Sequence, residues 1–416
     1  MVAQSDLLPY QPPSWMPDGL SPTPASRLRL GHLPTPVHKW SLPLQGVATP
    51  NGLGVAAETE LWIKRDDFTG SELSGNKVRK LEFLLADALE QQCDCVITVG
   101  GIQSNHARAS AAAARRVGLE PHLILRTSDP DNDPGLSGNL MLDRMVGAKL
   151  HLVGDEEFNA KGQAALLDEL RQGLIAEGRA PYVFPSGGSN PLGTVRRQPS
   201  NTGPAHSRRA TMLKCRARCR VLTAWLAPLT AWLAPLTAWL APLTAWQWGY
   251  VQAVAELLEQ QEAGAAPQFD RVYFACGSGG TAAGLALAMH CSGLTPSTEL
   301  VGLGVDDSPT LFHNKINGIF LALGADVDSE QVLRLCDCVG DGYGVSTTEE
   351  LGFLIDVARS TGVVLDPVYS GKAALGMAKD LQERPVKRAL FMHTGGLLGL
   401  YAKESQLAPL LCARES

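Results

Sequence analysis

The sequence predicts an α/β protein of two domains, with parallel sheets flanked by helices. Short apolar runs alternate with stretches of helical period, and several of those runs close on glycine-rich loops. A chain of 416 residues with 45% hydrophobic content is also long enough to bury more than one core. Strands that alternate with helices pair in parallel, and parallel sheets take ligands at their carboxyl ends, where these glycine loops fall.

The elements follow in chain order. The opening "MVAQSDLLPYQPPSWMPDGL" has neither a basic start with a long apolar run nor an Arg-rich, acid-poor character, and reads as a Pro-rich arm. Leu61 to Lys64 reads as a strand. Lys77 to Ala88 reads as an amphipathic helix with Val78, Leu81, Leu84 and Leu85 on one face. "CVITVGG", from Cys95 to Gly101, is a strand ending in glycines, and the Ala-rich "SNHARASAAAARRVGL" is the helix after it. "PHLILR" and "KLHLV" are further strands, "AKGQAALLDELRQGL" a helix, and "YVFPSGGSN" a strand that enters a Gly/Ser loop. The same alternation continues through "RVYFACGSGGTAAGLALAM", "LVGLGV" and "ALFMHTGG".

One segment departs from this pattern. Val195 to Gln247 holds a basic, turn-rich stretch and then a heptapeptide repeat, "TAWLAPL", running from Thr223 to Trp246. From Val221 the run is uncharged and exceeds the roughly 18 apolar residues that flag a membrane span. Pro228, Pro235 and Pro242 argue against both a spanning helix and a coiled coil, since each removes a helical hydrogen bond. A single crossing would also separate Lys77 from the Gly277–Thr281 loop, which the reading below places on one ligand. Residues 195–247 are therefore read as an insertion, and the membrane role as the lesser option.

Charge narrows the partners. Lys plus Arg number 36 against 42 Asp plus Glu, without long single-sign runs, so no nucleic-acid surface is indicated and a small-molecule ligand fits better. The nine cysteines are odd in number and lack paired CxxC spacing. They read as reduced thiols inside a cell, and the two CxC pairs as incidental thiols in preference to a metal site.

Four groups of residues carry chemistry. Gly277, Ser278, Gly279, Gly280 and Thr281 follow a strand and open a helix, so their amides make either a phosphate cup or a tight strand-to-helix turn; neither a Walker loop nor GxGxxG is present. Lys77 sits behind a Gly-Asn turn at a helix amino end, where the backbone dipole favours loss of its proton; the alternative is a solvated surface lysine. Gln103, Ser104, Asn105 and His106 crowd a strand end, where they hold a carboxylate or phenolic oxygen, or where Ser104 or Asn105 merely caps the helix. His106 reads as a packed or turn histidine. Tyr343, Tyr369, Ser370 and Thr394 form a C-terminal set whose tyrosines either line a pocket or pack as ordinary aromatics.

Together the stretches "IKRDDFTGSELSGNKVRKLEF", "GGIQSNHARASAAAARRVGL", "SGNLMLDRMVGA", "PSGGSNPLGT", "WGYV", "GSGGTAAGL", "GYGV", "LDPVYSGKAALGM" and "HTGG" resemble the D-cysteine desulfhydrase and 1-aminocyclopropane-1-carboxylate deaminase family of pyridoxal-phosphate enzymes. The likeness runs in order from about Leu33 to Tyr401. The family pattern joins "GT" to "GY" through one residue, which would here link Thr194 to Trp248 and leave the repeat as an addition.

The resemblance implies a two-domain fold type II, tryptophan-synthase-β-like architecture. It divides the chain into an arm (1–24), a large cofactor-binding domain (25–79 and 248–405), a small α/β domain (80–194), the insertion (195–247) and a tail (406–416). It also implies roles. Lys77 would hold pyridoxal 5'-phosphate covalently, Asn105 would bond its phenolic oxygen, and Gly277 to Thr281 would cradle its phosphate. Ser104, with Gln103 and Asn105, would meet the substrate carboxylate, and Tyr343 and Tyr369 would flank the substrate. Deaminases of this family carry Glu after the tyrosine of "DPVY" and Leu in "HxGG", whereas this chain has Ser370 and Thr394, as the desulfhydrases do. A hydroxyl in place of a carboxylate at the pyridine nitrogen implies a weaker electron sink, enough to expel a good leaving group. The implied activity is elimination of D-cysteine to pyruvate, ammonia and hydrogen sulfide by a homodimer of the cytoplasm, with organellar targeting left open.

Overall fold

The computed structural model describes residues 7–42, 59–188 and 247–412. The repeat, with Cys215 and Cys219, lies outside the described residues, as do Ser189 and Asn190 of the Gly/Ser loop. Two sheets organise the rest. The larger contains β3 (Val37–Lys39), β4 (Glu60–Arg65), β9 (Arg271–Cys276), β10 (Glu299–Gly304), β11 (Arg334–Asp337) and β12 (Arg388–His393), in the order β11-β10-β9-β12-β4-β3. Every pairing in it is parallel except β3 with β4. The smaller sheet holds β5 (Cys95–Gly101), β6 (Glu120–Thr127), β7 (Lys149–Gly154) and β8 (Pro181–Val183) in the order β7-β6-β5-β8, all parallel. A short antiparallel ribbon pairs β1 (Leu7–Pro9) with β2 (Ser26–Leu28).

Alternation along the strands puts a core on each face of the larger sheet. In β9, Val272, Phe274 and Cys276 enter one apolar cluster, and Tyr273 and Ala275 enter another on the opposite face. Helices α1 (Lys77–Glu90), α5 (247–262), α6 (Gly280–Cys291), α7 (Pro309–Leu323) and the short α8 (Ser329–Val332) pack into the first; α9 (Thr348–Thr361) and α10 (Ser370–Glu383) close the second. In the smaller sheet, Ile124 of β6 faces α4 (Asp155–Ala176), while Leu123 and Leu125 face α2 (Asn105–Arg116) and α3 (Asn139–Met145). Sheets buried on both faces by helices are the arrangement that continuous apolar strands require.

Helix α1 differs from the amphipathic expectation. Its charged residues Arg79, Lys80 and Glu82 are as buried as its leucines. The face predicted to meet water is covered by the segment after β2, where Glu82 accepts the amides of Leu30 and Gly31, and by α5. Arg79 donates to Asp66 at 2.7 and 2.9 Å and to Glu256 of α5 at 3.0 Å, so its charge is paired. Gly249 lets α5 come this close: a Cβ there would lie 2.4 Å from the carbonyl oxygen of Arg79. Gln247, placed with the insertion in the sequence reading, is buried in the first described turn of α5. Among the described residues, no helix is long and apolar enough to cross a membrane, no group of His, Cys, Asp and Glu could hold a metal, and the cysteines are free thiols.

Candidate active site

The loop that delivers Lys77 is fixed by backbone contacts that exclude side chains. Gly75 has φ +105°, and a Cβ there would lie 2.7 Å from the carbonyl oxygen of Thr394; a Cβ on Gly395 would lie 2.5 Å from the Cα of Gly75. Two glycine backbones thus cross in direct contact, which no other residue pair allows. Asn76 N–H donates to Thr394 O at 3.0 Å, and Gly75 N–H donates to the Thr69 hydroxyl at 2.9 Å. From the other side, buried Arg108 donates to the carbonyls of Glu72 and Ser74. The result is that α1 starts at Lys77 with its amine in a cavity. Burial lowers the pKa of that amine to about 8. The adjacent amine of Lys80 is pushed down by burial and then by the charge of Lys77, and lies 5.9 Å from the centre of the Tyr250 ring.

Because only the neutral amine is nucleophilic, labelling of Lys77 by an amine-directed acylating reagent in cofactor-free protein is expected to rise about tenfold per pH unit below pH 8 and to level off above it. Peptide mass spectrometry reads the labelling. A profile that keeps rising to the ordinary lysine range, near pH 10.4, would contradict the burial.

The cavity measures about 490 Å³ and opens between the two sheets, at the carboxyl ends of β5, β9 and β12. It brings together Lys77, Ser104, Asn105, Gly277, Ser278, Gly279, Thr281, Tyr343, Tyr369 and Thr394. Opposite Lys77, α6 begins after Gly279, which takes φ +87°. The first amides of a helix have no partner within it and carry the positive end of its dipole. Thr281 accepts a hydrogen bond from the Asn76 side chain at 3.2 Å, which ties this loop to the turn before Lys77. A Cβ on Gly277 would lie 3.0 Å from the Tyr369 ring, so the glycine keeps that corner open. Ser278 donates to Gly187 O at 2.5 Å and joins the loop to the end of the smaller sheet. An anion cradle facing an amine of lowered pKa is a donor set that fits pyridoxal phosphate, which needs a seat for its phosphate and an amine for its aldehyde.

Other predicted residues divide. Ser104 caps α2, its hydroxyl accepting from Ala107 N–H at 3.1 Å, and it also lines the cavity. Gly100 makes room for it, since a Cβ there would lie 2.5 Å from the Ser104 hydroxyl. Ser104→Ala is expected to lower stability by about 1 kcal/mol through the lost cap, measured by denaturant unfolding, in addition to any effect on substrate. His106 is packed, as the sequence suggested: one ring nitrogen lies 2.8 Å from the Thr98 hydroxyl, and burial holds its pKa well below the usual range.

Three predicted positions do not line the cavity. Gln103 is turned away: it donates to Ser137 O at 2.9 Å and accepts from Asn139 N–H at 3.0 Å, which braces the loop before α3. The fully buried Ser370 hydroxyl donates to Asp366 Oδ1 at 2.6 Å and accepts from Asp366 N–H at 2.9 Å. Asp366 in turn caps the start of α10, accepting the amides of Val368, Tyr369 and Ser370. Gly280 lies inside the first turn of α6, behind the loop. Neither Gln103 nor Ser370 therefore presents a free polar atom to a substrate here.

The sequence reading also missed residues. Asp306, just past β10, lines the cavity, and the rule that ligands sit at strand carboxyl ends points to it. Asn76 and Arg108 were hidden because their partners, Thr281, Glu72 and Ser74, come from elsewhere in the chain.

Similarity to known proteins agrees with this geometry. A D-cysteine desulfhydrase/1-aminocyclopropane-1-carboxylate deaminase of Arabidopsis thaliana, described as bifunctional and mitochondrial, is 43% identical over 410 residues, covering 97% of this chain and 86% of that protein. A putative 1-aminocyclopropane-1-carboxylate deaminase of Pyrococcus horikoshii is 32% identical, covering 89% of this chain and 94% of its own. The crystal structure of an ACC deaminase homologue superposes with a TM-score of 0.68 at 30% identity, over 94% of this chain and 98% of that one, which makes the fold the type II, tryptophan-synthase-β-like one. The family model for pyridoxal-phosphate dependent enzymes matches residues 28–198 and 241–395, so the cavity that holds Lys77 against the α6 glycines is that of a chain belonging to the pyridoxal-phosphate dependent enzymes.

Proposed function

We propose that this protein is a D-cysteine desulfhydrase, a carbon–sulfur lyase that converts D-cysteine and water to pyruvate, ammonia and hydrogen sulfide. The observation that carries the reading is the placement of the Lys77 amine in one cavity with the Gly277–Thr281 loop and the Tyr343–Tyr369 pair. Bound pyridoxal phosphate supplies the electron sink for the α carbon. Lys77, held at the start of α1, takes the α proton, and its lowered pKa suits it to hold and return a proton near neutral pH. Ser104 and Asn105, at the positive end of α2, hold the substrate carboxylate. The Tyr343 and Tyr369 hydroxyls lie 2.5 Å apart, one donating to the other; desolvation pushes both phenols up, so the pair stays protonated and the O–H not shared between them donates to the departing sulfur.

The choice of branch rests on Thr394, which lines the cavity where the deaminases carry Leu, and on the lack of a carboxylate at position 370, where they carry Glu. The names of the relatives favour a second reading, deamination of 1-aminocyclopropane-1-carboxylate, alone or alongside desulfhydration. Sulfide and pyruvate assays with both cysteine enantiomers, beside ammonia release from the cyclopropane substrate, distinguish the two. The expected result is sulfide from D-cysteine and little turnover of the cyclopropane; the reverse would move the chain to the deaminases. The same assay on a chain with Thr194 joined directly to Trp248 is expected to retain activity. The reading extends to a homodimer in the cytoplasm, testable by sedimentation and by imaging of the tagged full chain.

A further inference from the structure

Tyr343 sits on a loop whose own backbone bonds are two turn contacts, Gly342 N–H to Val339 O at 3.3 Å and Val345 N–H to Gly342 O at 3.2 Å, with Lys403 donating to Gly344 O at 2.7 Å on its outer side. Gly340, Gly342 and Gly344 take φ of +63°, +137° and +72°, a run of left-handed or otherwise unusual positions that only glycine adopts easily. Yet the Tyr343 hydroxyl lies 2.5 Å from that of Tyr369, with the rings edge to face at 6.0 Å. The restraint comes from beneath. The buried Lys372 ammonium donates to Val339 O at 2.5 Å and to Gly342 O at 3.1 Å, and lies 3.5 Å from Glu350 Oε1. A Cβ on Gly340 would meet that carboxylate oxygen at 3.0 Å and the ammonium at 3.4 Å, so the loop lies directly on the ion pair. Glu350 is fixed by its own capping box with Thr347 at the start of α9. Lys372 belongs to the first turn of α10, the helix that Tyr369 opens. Lys403 also holds this loop, but from the segment after β12; it is Lys372 that ties the Tyr343 loop to the element that carries Tyr369.

We propose that Lys372 is a positioning residue: its ammonium, held by the carbonyls of Val339 and Gly342 and by Glu350, sets the Tyr343 hydroxyl against that of Tyr369. This deepens the desulfhydrase reading and rests on it for the substrate. Hydrogen bonds to a charged donor are among the stronger ones, and losing two of them releases the loop. Lys372→Met keeps the apolar stem and removes the charge. It is expected to speed amide exchange over residues 340–345 by about tenfold or more while α9 and α10 exchange as before. It is also expected to lower kcat for D-cysteine by about tenfold, and Tyr343→Phe should then cost far less in the Lys372→Met background than in the wild type.

Truncation supplies a second variant. Lys372→Ala leaves a hole the length of a propylammonium ion, and propylammonium, but not propanol, should restore turnover. Glu350→Gln, which keeps an oxygen for the Thr347 amide, should show the same loop effect more weakly. Unchanged exchange of the loop in Lys372→Met, or a Tyr343→Phe effect of equal size in both backgrounds, overturns the proposal. If the wild-type enzyme releases no sulfide, the substrate reading fails, and the exchange experiment still decides the role of Lys372.

Discussion

Lys77→Ala is expected to release sulfide and pyruvate from D-cysteine at about one thousandth of the wild-type rate or less, because in the proposed function it removes both the covalent seat of the cofactor and the base that takes the α proton. The effect should be confined to chemistry. Lys77 lies at the cavity wall, and the contacts that hold its loop are made by Gly75, Asn76, Thr69 and Arg108, all of which remain. Its amine also lowers the pKa of Lys80, so removing it relieves a buried repulsion. The unfolding free energy of the cofactor-free variant, read by denaturant unfolding, should therefore stay within about 1 kcal/mol of the wild type, or rise. A variant that turns over at the wild-type rate would separate Lys77 from the reaction, and one that unfolds would contradict the confinement of the effect to chemistry.

Glu256→Ala is expected to cost about 3–5 kcal/mol of stability, the largest single effect outside the cavity. Its carboxylate accepts from Lys64 at 2.5 Å, from Arg79 at 3.0 Å and from Thr35 N–H at 2.7 Å, while Asp66 takes the other edge of Arg79. Two buried cations face two buried anions, and removing one anion leaves an uncompensated charge beside the first turn of α1. The network also seats α5, the first described element after the repeat, against α1 and β4. Burial alone would raise the carboxyls of Asp66 and Glu256, but Arg79 and Lys64 more than offset it, so both lie below the ordinary range. Carboxylates depressed in the folded state contribute stability that is present above their unfolded pKa, about 4, and lost as pH falls through the folded value. Wild-type stability should thus decline in acid below pH 4, and Glu256→Ala should flatten that decline. Urea unfolding across pH measures both.

Much of the fold could be read from local pattern. The strand "CVITVGG" runs from Cys95 to Gly101 as expected, because an uninterrupted apolar run closing on glycines has few alternatives. The start of α1 at Lys77 was likewise legible from its Gly-Asn turn. What local pattern could not show is which surfaces other elements cover. Arg79 reads as solvent-facing until Asp66 and Glu256, 13 and 177 residues away, close over it. The site was legible where glycine loops and Lys77 declare chemistry, and less so where a polar side chain has two possible partners. Gln103 and Ser370 carry suitable groups, but Asn139 and Asp366 claim them, and only three-dimensional competition decides that. Lys372 follows Tyr369 closely in sequence, yet its role depends on carbonyls about thirty residues upstream.

The most direct test of the account is the position of the covalent bond to the cofactor. The purified full chain, loaded with pyridoxal phosphate and reduced with borohydride, is digested and its peptides weighed. The account predicts the phosphopyridoxyl mass on the peptide containing Lys77, at that residue. Modification of Lys80 or another lysine instead, or a chain that takes up no cofactor, would contradict it.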